Sequence, residues 1–95
     1  MNAYVVFFLD EILEPARLAE YRRLAVPTIA PAGGEFIVHS DKFDVLEGAA
    51  PKGVFMLRFP TMAAARSWYQ SPAYRQALQH RVAAARCRTV LVEGS

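Results

Sequence analysis

Residues 3–9 read Ala3-Tyr4-Val5-Val6-Phe7-Phe8-Leu9. β-Branched and aromatic residues dominate the run, which predicts a β-strand. Strand side chains alternate in direction, so Val5, Phe7 and Leu9 share one face and Tyr4, Val6 and Phe8 the other. Both faces are apolar. Such a strand needs cover on both sides, and this requirement governs how the rest of the chain is read.

Downstream, Pro15 suits a first helical turn, where its missing N–H costs nothing, and Glu14 favours the positive end of the helix dipole. Leu18, Tyr21, Ala25 and Ile29 recur at helical spacing, with Arg17, Glu20, Arg22 and Arg23 largely around the other side. Pro27 is expected to kink this helix or end it early, with Pro31 and Gly33-Gly34 closing it. Phe36, Ile37 and Val38 predict a second strand. Phe43, Val45 and Leu46 extend it, or add a further strand, beyond an irregularity at Ser40-Asp41-Lys42 that reads either as a hairpin turn or as a bulge. Gly53 to Phe59 predicts a third strand, apolar on both faces except for Arg58, and Pro60 stops it. Thr61 is a good N-cap for a short helix from Met62 to Tyr69. Ser71-Pro72 restarts the helix as cap and first residue. Tyr74, Leu78, Val82 and Ala85 mark one face of the longer helix that follows. Thr89 to Glu93 predicts the last strand, closed by Gly94.

The order β-α-β-β-α-β predicts an α+β fold of ferredoxin-like type: an antiparallel sheet with its helices on one face, in a single domain over residues 1–95. Helices on one face leave the second apolar face of the strands open. A second copy packed through the same face is the simplest cover, so a homodimer is expected. Composition agrees. Hydrophobic residues make up 54% of the 95, more than one small core needs.

The 11 Lys+Arg and 9 Asp+Glu give a net charge of +2. Acids sit among scattered arginines, which excludes a nucleic-acid footprint. No apolar run approaches the roughly 18 residues that cross a bilayer, so no membrane partner is expected. Met1-Asn2-Ala3 lacks the basic start of a signal peptide. The single Cys87 has no internal disulfide partner. It fits a reducing, cytoplasmic setting, and a buried inert thiol is its favoured reading over a reactive one activated by Arg86 and Arg88.

Metal chemistry has no support, because His39, His80 and Cys87 show no ligand spacing. His80 reads as a surface residue. No nucleophile turn surrounds Ser40, Ser67 or Ser71. Gly33-Gly34 follows a helix, the reverse of a phosphate loop, and reads as a helix C-cap.

The informative stretch is Ala65-Arg66-Ser67-Trp68-Tyr69-Gln70-Ser71-Pro72-Ala73-Tyr74. Trp68 and Tyr74 read first as core anchors of the broken helix. In the functional reading, Tyr69 or Tyr74 points a hydroxyl into a cavity between helices and sheet. Arg81 falls on or near the apolar face of the second helix, and a buried Arg requires a partner. Glu47, Glu93 and an anionic ligand are the candidates. A guanidinium fork suits a carboxylate through two parallel hydrogen bonds. Glu47, at a strand end before Gly48, would act as a base if buried. Arg58 is a candidate for the same polar cluster. His39 lies in a strand with Ile37 on its own face; it reads first as structural or solvent-facing, and otherwise as a pocket residue.

Tyr21, Gly33-Gly34-Glu35-Phe36, Glu47-Gly48, Phe59-Pro60, Ala65, Trp68-Tyr69-x-Ser71-Pro72-x-Tyr74, Arg81 and Glu93-Gly94 occur in that order. Together they resemble the domain of unknown function 1330 family along the whole chain. The Trp-Tyr-x-Ser-Pro-x-Tyr segment with its downstream Arg is the most specific part. The resemblance implies a dimeric α+β barrel in which the sheets of two ferredoxin-like subunits pair. The wider superfamily includes cofactor-independent monooxygenases, muconolactone isomerase-like enzymes and ligand-sensing domains, but fold likeness alone assigns no reaction. Relatives often carry an Arg-Gly-Gly-like segment after the second strand, where this chain has His39-Ser40-Asp41, so ligand preference is expected to differ.

The leading expectation is a small-molecule site between sheet and helices, lined by Tyr21, His39, Glu47, Trp68, Tyr69, Tyr74 and Arg81. Arg81 would hold an anionic group or stabilise an enolate-like charge. His39 or Glu47 would move a proton. No metal or other cofactor is expected. The alternatives are the same pocket without turnover, and a structural protein whose polar cluster is a satisfied ion-pair network.

Overall fold

Strand β1 (Ala3–Ile12) is followed by helix α1 (Pro15–Ile29), a 3-10 turn at Ala30–Ala32, β2 (Glu35–Ser40), β3 (Gly53–Phe59), α2 (Met62–Gln70), α3 (Pro72–Ala84) and β4 (Ala85–Glu93) in the computed structural model, which describes residues 1–95. The sheet order is β2-β3-β1-β4 and every neighbouring pair is antiparallel. This is the ferredoxin-like arrangement.

The alternation in β1 has the expected consequence. Ala3, Val5, Phe7 and Leu9 are buried under the helices, while Tyr4, Val6 and Phe8 are only half-buried on the opposite face. The core gathers Val5, Phe7, Leu57, Phe59, Trp68 and Tyr74 with Ala25, Ile29 and Leu78. Thr61 and Ser71 start the two later helices as their sequence suggests. Thr61 Oγ1 accepts from the Ala64 amide at 3.0 Å and Ser71 Oγ from the Tyr74 amide at 3.3 Å.

Pro27 does not end α1, which continues to Ile29. Pro27 and Arg23, whose carbonyl lacks the usual N–H partner, are both exposed residues. Closure comes after the 3-10 turn. Gly33 is left-handed (φ 87°), and a Cβ on Gly34 would stand 2.7 Å from the Phe59 ring and 2.9 Å from Ile29.

Three expectations are corrected. Residues 43–47 form no strand. They lie in the exposed loop between β2 and β3, where Leu46 is 90% exposed and a ladder partner is lacking. Strand β4 begins at Ala85 rather than Thr89, directly after α3, and so brings Cys87 into the sheet. Val82 is 69% exposed; the buried stripe of α3 is Tyr74, Ala77, Leu78, Arg81 and Ala84.

The open face of the sheet carries Tyr4, Val6 and Phe8 of β1, Val54 and Met56 of β3, and Val90 and Val92 of β4. Two ion pairs flank this apolar field. Arg58 pairs with Glu35, on the face away from the helices and so apart from Arg81. Arg88 donates to Asp10 at 2.7 and 2.9 Å and lies over the Phe8 ring. Those hydrogen bonds hold the Asp10 carboxyl below its ordinary value.

Candidate functional site

Between α1 and the sheet lies a cavity of about 300 Å³, at the small end of ligand sites. Its sheet wall is Phe7 and Leu9 of β1, Phe36 and His39 of β2, Phe55 and Leu57 of β3, and Cys87 of β4. Leu18, Tyr21, Arg22, Ala25, Val26 and Ile29 of α1 form the roof, and Trp68 and Arg81 close it from α2 and α3. Val26 and Phe36 are 49% and 44% exposed, so the opening lies between α1 and the edge strand β2.

His39 reaches this wall through an irregularity. β2 pairs Phe36 with Leu57 and Val38 with Met56, and the register shifts between them. Ile37 is therefore an extra residue, a bulge that returns the strand to register. Phe36 and His39, three apart, consequently share the helix-side face. The His39 ring packs at a tilt against those of Phe36 (5.6 Å between centres) and Phe55 (5.2 Å). The expectation that Ile37 shares the face of His39 assumed an unbroken alternation.

Arg81 is the one buried charged residue. It is 7% exposed, lines the cavity, and has no carboxylate within ion-pair distance. Neither Glu47 nor Glu93 pairs with it. Its guanidinium stands over the rings of Tyr21 (5.4 Å) and Phe7 (5.5 Å), and its Nε is buried with no hydrogen-bond partner. Burial opposes the charge, but the Tyr74 and Tyr21 oxygens more than offset it, and the group stays cationic.

Beside it, the Tyr21 and Tyr74 hydroxyls are 2.8 Å apart. Burial raises both phenols above their ordinary value, so both keep their protons at neutral pH. Tyr74 itself is fully buried beneath Trp68, with ring centres 4.1 Å apart. Trp68 Nε1 donates to Thr28 Oγ1 at 2.9 Å, which locks α2 against α1.

The structure thus brings Tyr21, His39, Trp68 and Arg81 to one cavity, with Tyr74 behind Tyr21. Tyr69 packs against Trp68 and Tyr74 from outside, under Arg75, and does not line the space. Glu47 is exposed in the loop between β2 and β3, away from the lining. Sequence reasoning passed over Cys87, Phe7, Phe55 and Arg22 as lining residues. The alternation Cys87-Thr89-Leu91 was the available signal for Cys87, hidden by starting β4 too late.

The fold recurs in solved structures. A protein of unknown function from Rhodopseudomonas palustris superposes with a TM-score of 0.81 at 21% identity, over 99% of this chain and 82% of that one. A dimeric ferredoxin-like protein of unknown function from Jannaschia sp. CCS1 gives 0.78 at 22% identity, over 99% and 100%. SnoaB, a cofactor-independent oxygenase from Streptomyces nogalater, gives 0.67 at 12% identity, over 99% and 93%. No curated protein matches the chain. No helix is long and apolar enough to cross a membrane. The family model described as a domain of unknown function (DUF1330) matches residues 2–95, and the chain belongs to that family.

Proposed function

We propose that the protein binds a small, mainly apolar molecule bearing one anionic group in the cavity between α1 and the sheet, with that group on Arg81. One observation carries the reading: Arg81 is 93% buried by its 7% exposure, yet no carboxylate of the chain neutralises it. A buried charge is costly unless paired. A ligand carboxylate supplies the pair and fits the guanidinium fork. The aromatic and aliphatic lining suits an aromatic or short acyl body. The structural alternative, a satisfied ion-pair network, would call for a carboxylate of the chain on Arg81.

Calorimetric titration with benzoate tests this. Binding by the wild-type protein is expected, with at least about a tenfold loss in Arg81→Gln, the size of one charge-assisted hydrogen bond. Equal affinity in both proteins removes Arg81 from the site.

The quaternary reading is a homodimer through the open sheet face. The apolar field of Tyr4, Val6, Phe8, Met56, Val90 and Val92, with its internally neutralised ion pairs, suits a second copy of itself. The dimeric relative from Jannaschia supports it.

A second reading adds turnover without a cofactor. Tyr21, whose hydroxyl meets that of Tyr74, and His39 line the same cavity as Arg81. Arg81 would stabilise an enolate-like charge while His39 moves a proton. The oxygenase SnoaB shares the fold, which favours keeping this reading.

A further inference from the structure

Cys87 is the only cysteine, half-buried on β4, and its residue lines the cavity together with Arg81. The other cations near it in sequence are engaged elsewhere. Arg86 pairs with Glu11, and Arg88 with Asp10 on the opposite face. Arg81 is different: it is nine-tenths buried, lacks a carboxylate partner, and keeps a buried Nε without a hydrogen bond. Cys87 from β4 and Arg81 from α3 line the same cavity. A thiol and a carboxylate-binding cation that line one small space can bring a bound electrophile to the sulfur.

We infer that Cys87 is a ligand-reactive thiol that captures carboxylates bearing an electrophilic carbon, held by Arg81 for attack. The inference rests on the carboxylate reading of Arg81 and adds a covalent step to it. With a carbon carrying a leaving group, the sulfur forms an S–C bond, the bond to the leaving group breaks with its electron pair, and the thiol proton goes to solvent. With an alkene conjugated to the carboxylate, the S–C bond forms at the β-carbon. The π pair shifts to the α-carbon, which takes up the proton that the thiol gave up. Neither step needs an oxidant or reductant. Arg81 serves by fixing the carboxylate, so the reacting carbon is presented rather than met at random.

The test compares iodoacetate, an anion, with iodoacetamide, its neutral counterpart, by intact mass over time. In the native protein the iodoacetate-to-iodoacetamide rate ratio is expected to exceed that of the urea-unfolded chain by about tenfold, the size of one charge-assisted hydrogen bond. Arg81→Gln is expected to return the ratio to the unfolded value, and Cys87→Ser to abolish labelling. A wild-type measurement needs no variant to fold. The iodoacetate rate should saturate with concentration, because binding precedes alkylation, and benzoate should slow it competitively. A ratio unchanged by unfolding, or a rate that stays linear in iodoacetate, overturns the inference. If benzoate binds in calorimetry while the ratio is unchanged, the inference falls and the binding reading stands. If benzoate does not bind and the ratio is unchanged, both fall.

Discussion

The hydroxyl oxygens of Tyr21 and Tyr74, 53 positions apart in sequence, meet at 2.8 Å and join α1 to α3 beside Arg81. The contact is a structural tie and also shapes the polar end of the cavity. Tyr74→Phe removes one hydroxyl and leaves the ring packing in place. A loss of about 0.5–1.5 kcal/mol is expected, read by urea unfolding. A loss well above this range would mean that the ring itself has moved.

The same pair predicts a response to alkali. Burial raises both phenol groups above their unfolded value of 10.0. A raised folded-state value means that the stabilising contribution is fully present below pH 10 and is lost as pH rises through the folded value. Melting temperature is therefore expected to hold up to about pH 10 and to fall above it. Tyr74→Phe should flatten this fall. In the wild type, part of the tyrosinate absorbance of the four tyrosines should develop only at unfolding. Complete ionisation of all four in the folded protein would contradict the burial account.

Much of this arrangement is legible in the sequence, for identifiable reasons. The two apolar faces of residues 3–9 announce a strand covered on both sides. Ser71-Pro72 is legible because cap and first-turn chemistry are local. Arg81 stands out because it falls at helical spacing within an apolar stripe. The bulge at Ile37 is not legible, since pairing with β3 creates it and no local pattern encodes which residue is extra. Residues 43–47 mislead for a related reason. Phe43, Val45 and Leu46 have strand-like composition, but a strand needs a ladder partner, and this exposed segment pairs with neither β2 nor β3. Glu47 went with them, and its expected place near the site depended on that extra strand.

Gly34 offers a packing test. A Cβ there would meet the Phe59 ring at 2.7 Å and Ile29 at 2.9 Å. Gly34→Ala forces two core side chains aside and is expected to cost about 1–3 kcal/mol, measured by denaturant unfolding. A change within half of the lower bound would show that Phe59 has room to turn.

The open sheet face is tested by charge. Val6 faces Met56 on one side and Val90 on the other, at the middle of the apolar field. Val6→Asp is expected to convert a dimer into a monomer in sedimentation velocity, with helical circular dichroism retained. A wild-type protein that sediments as a monomer at micromolar concentration would contradict the face-to-face assembly.

The central claim is that Arg81 holds the anionic group of a ligand inside the cavity. Crystals soaked with para-bromobenzoate test it most directly, because the bromine marks the ring end by anomalous scattering. The account predicts the bromine between Phe36 and Phe55, towards the opening, and the carboxylate on the Arg81 guanidinium at about 2.7–2.9 Å. A carboxylate seated on another cation, or an Arg81 that has turned to pair with a carboxylate of the chain, would contradict it.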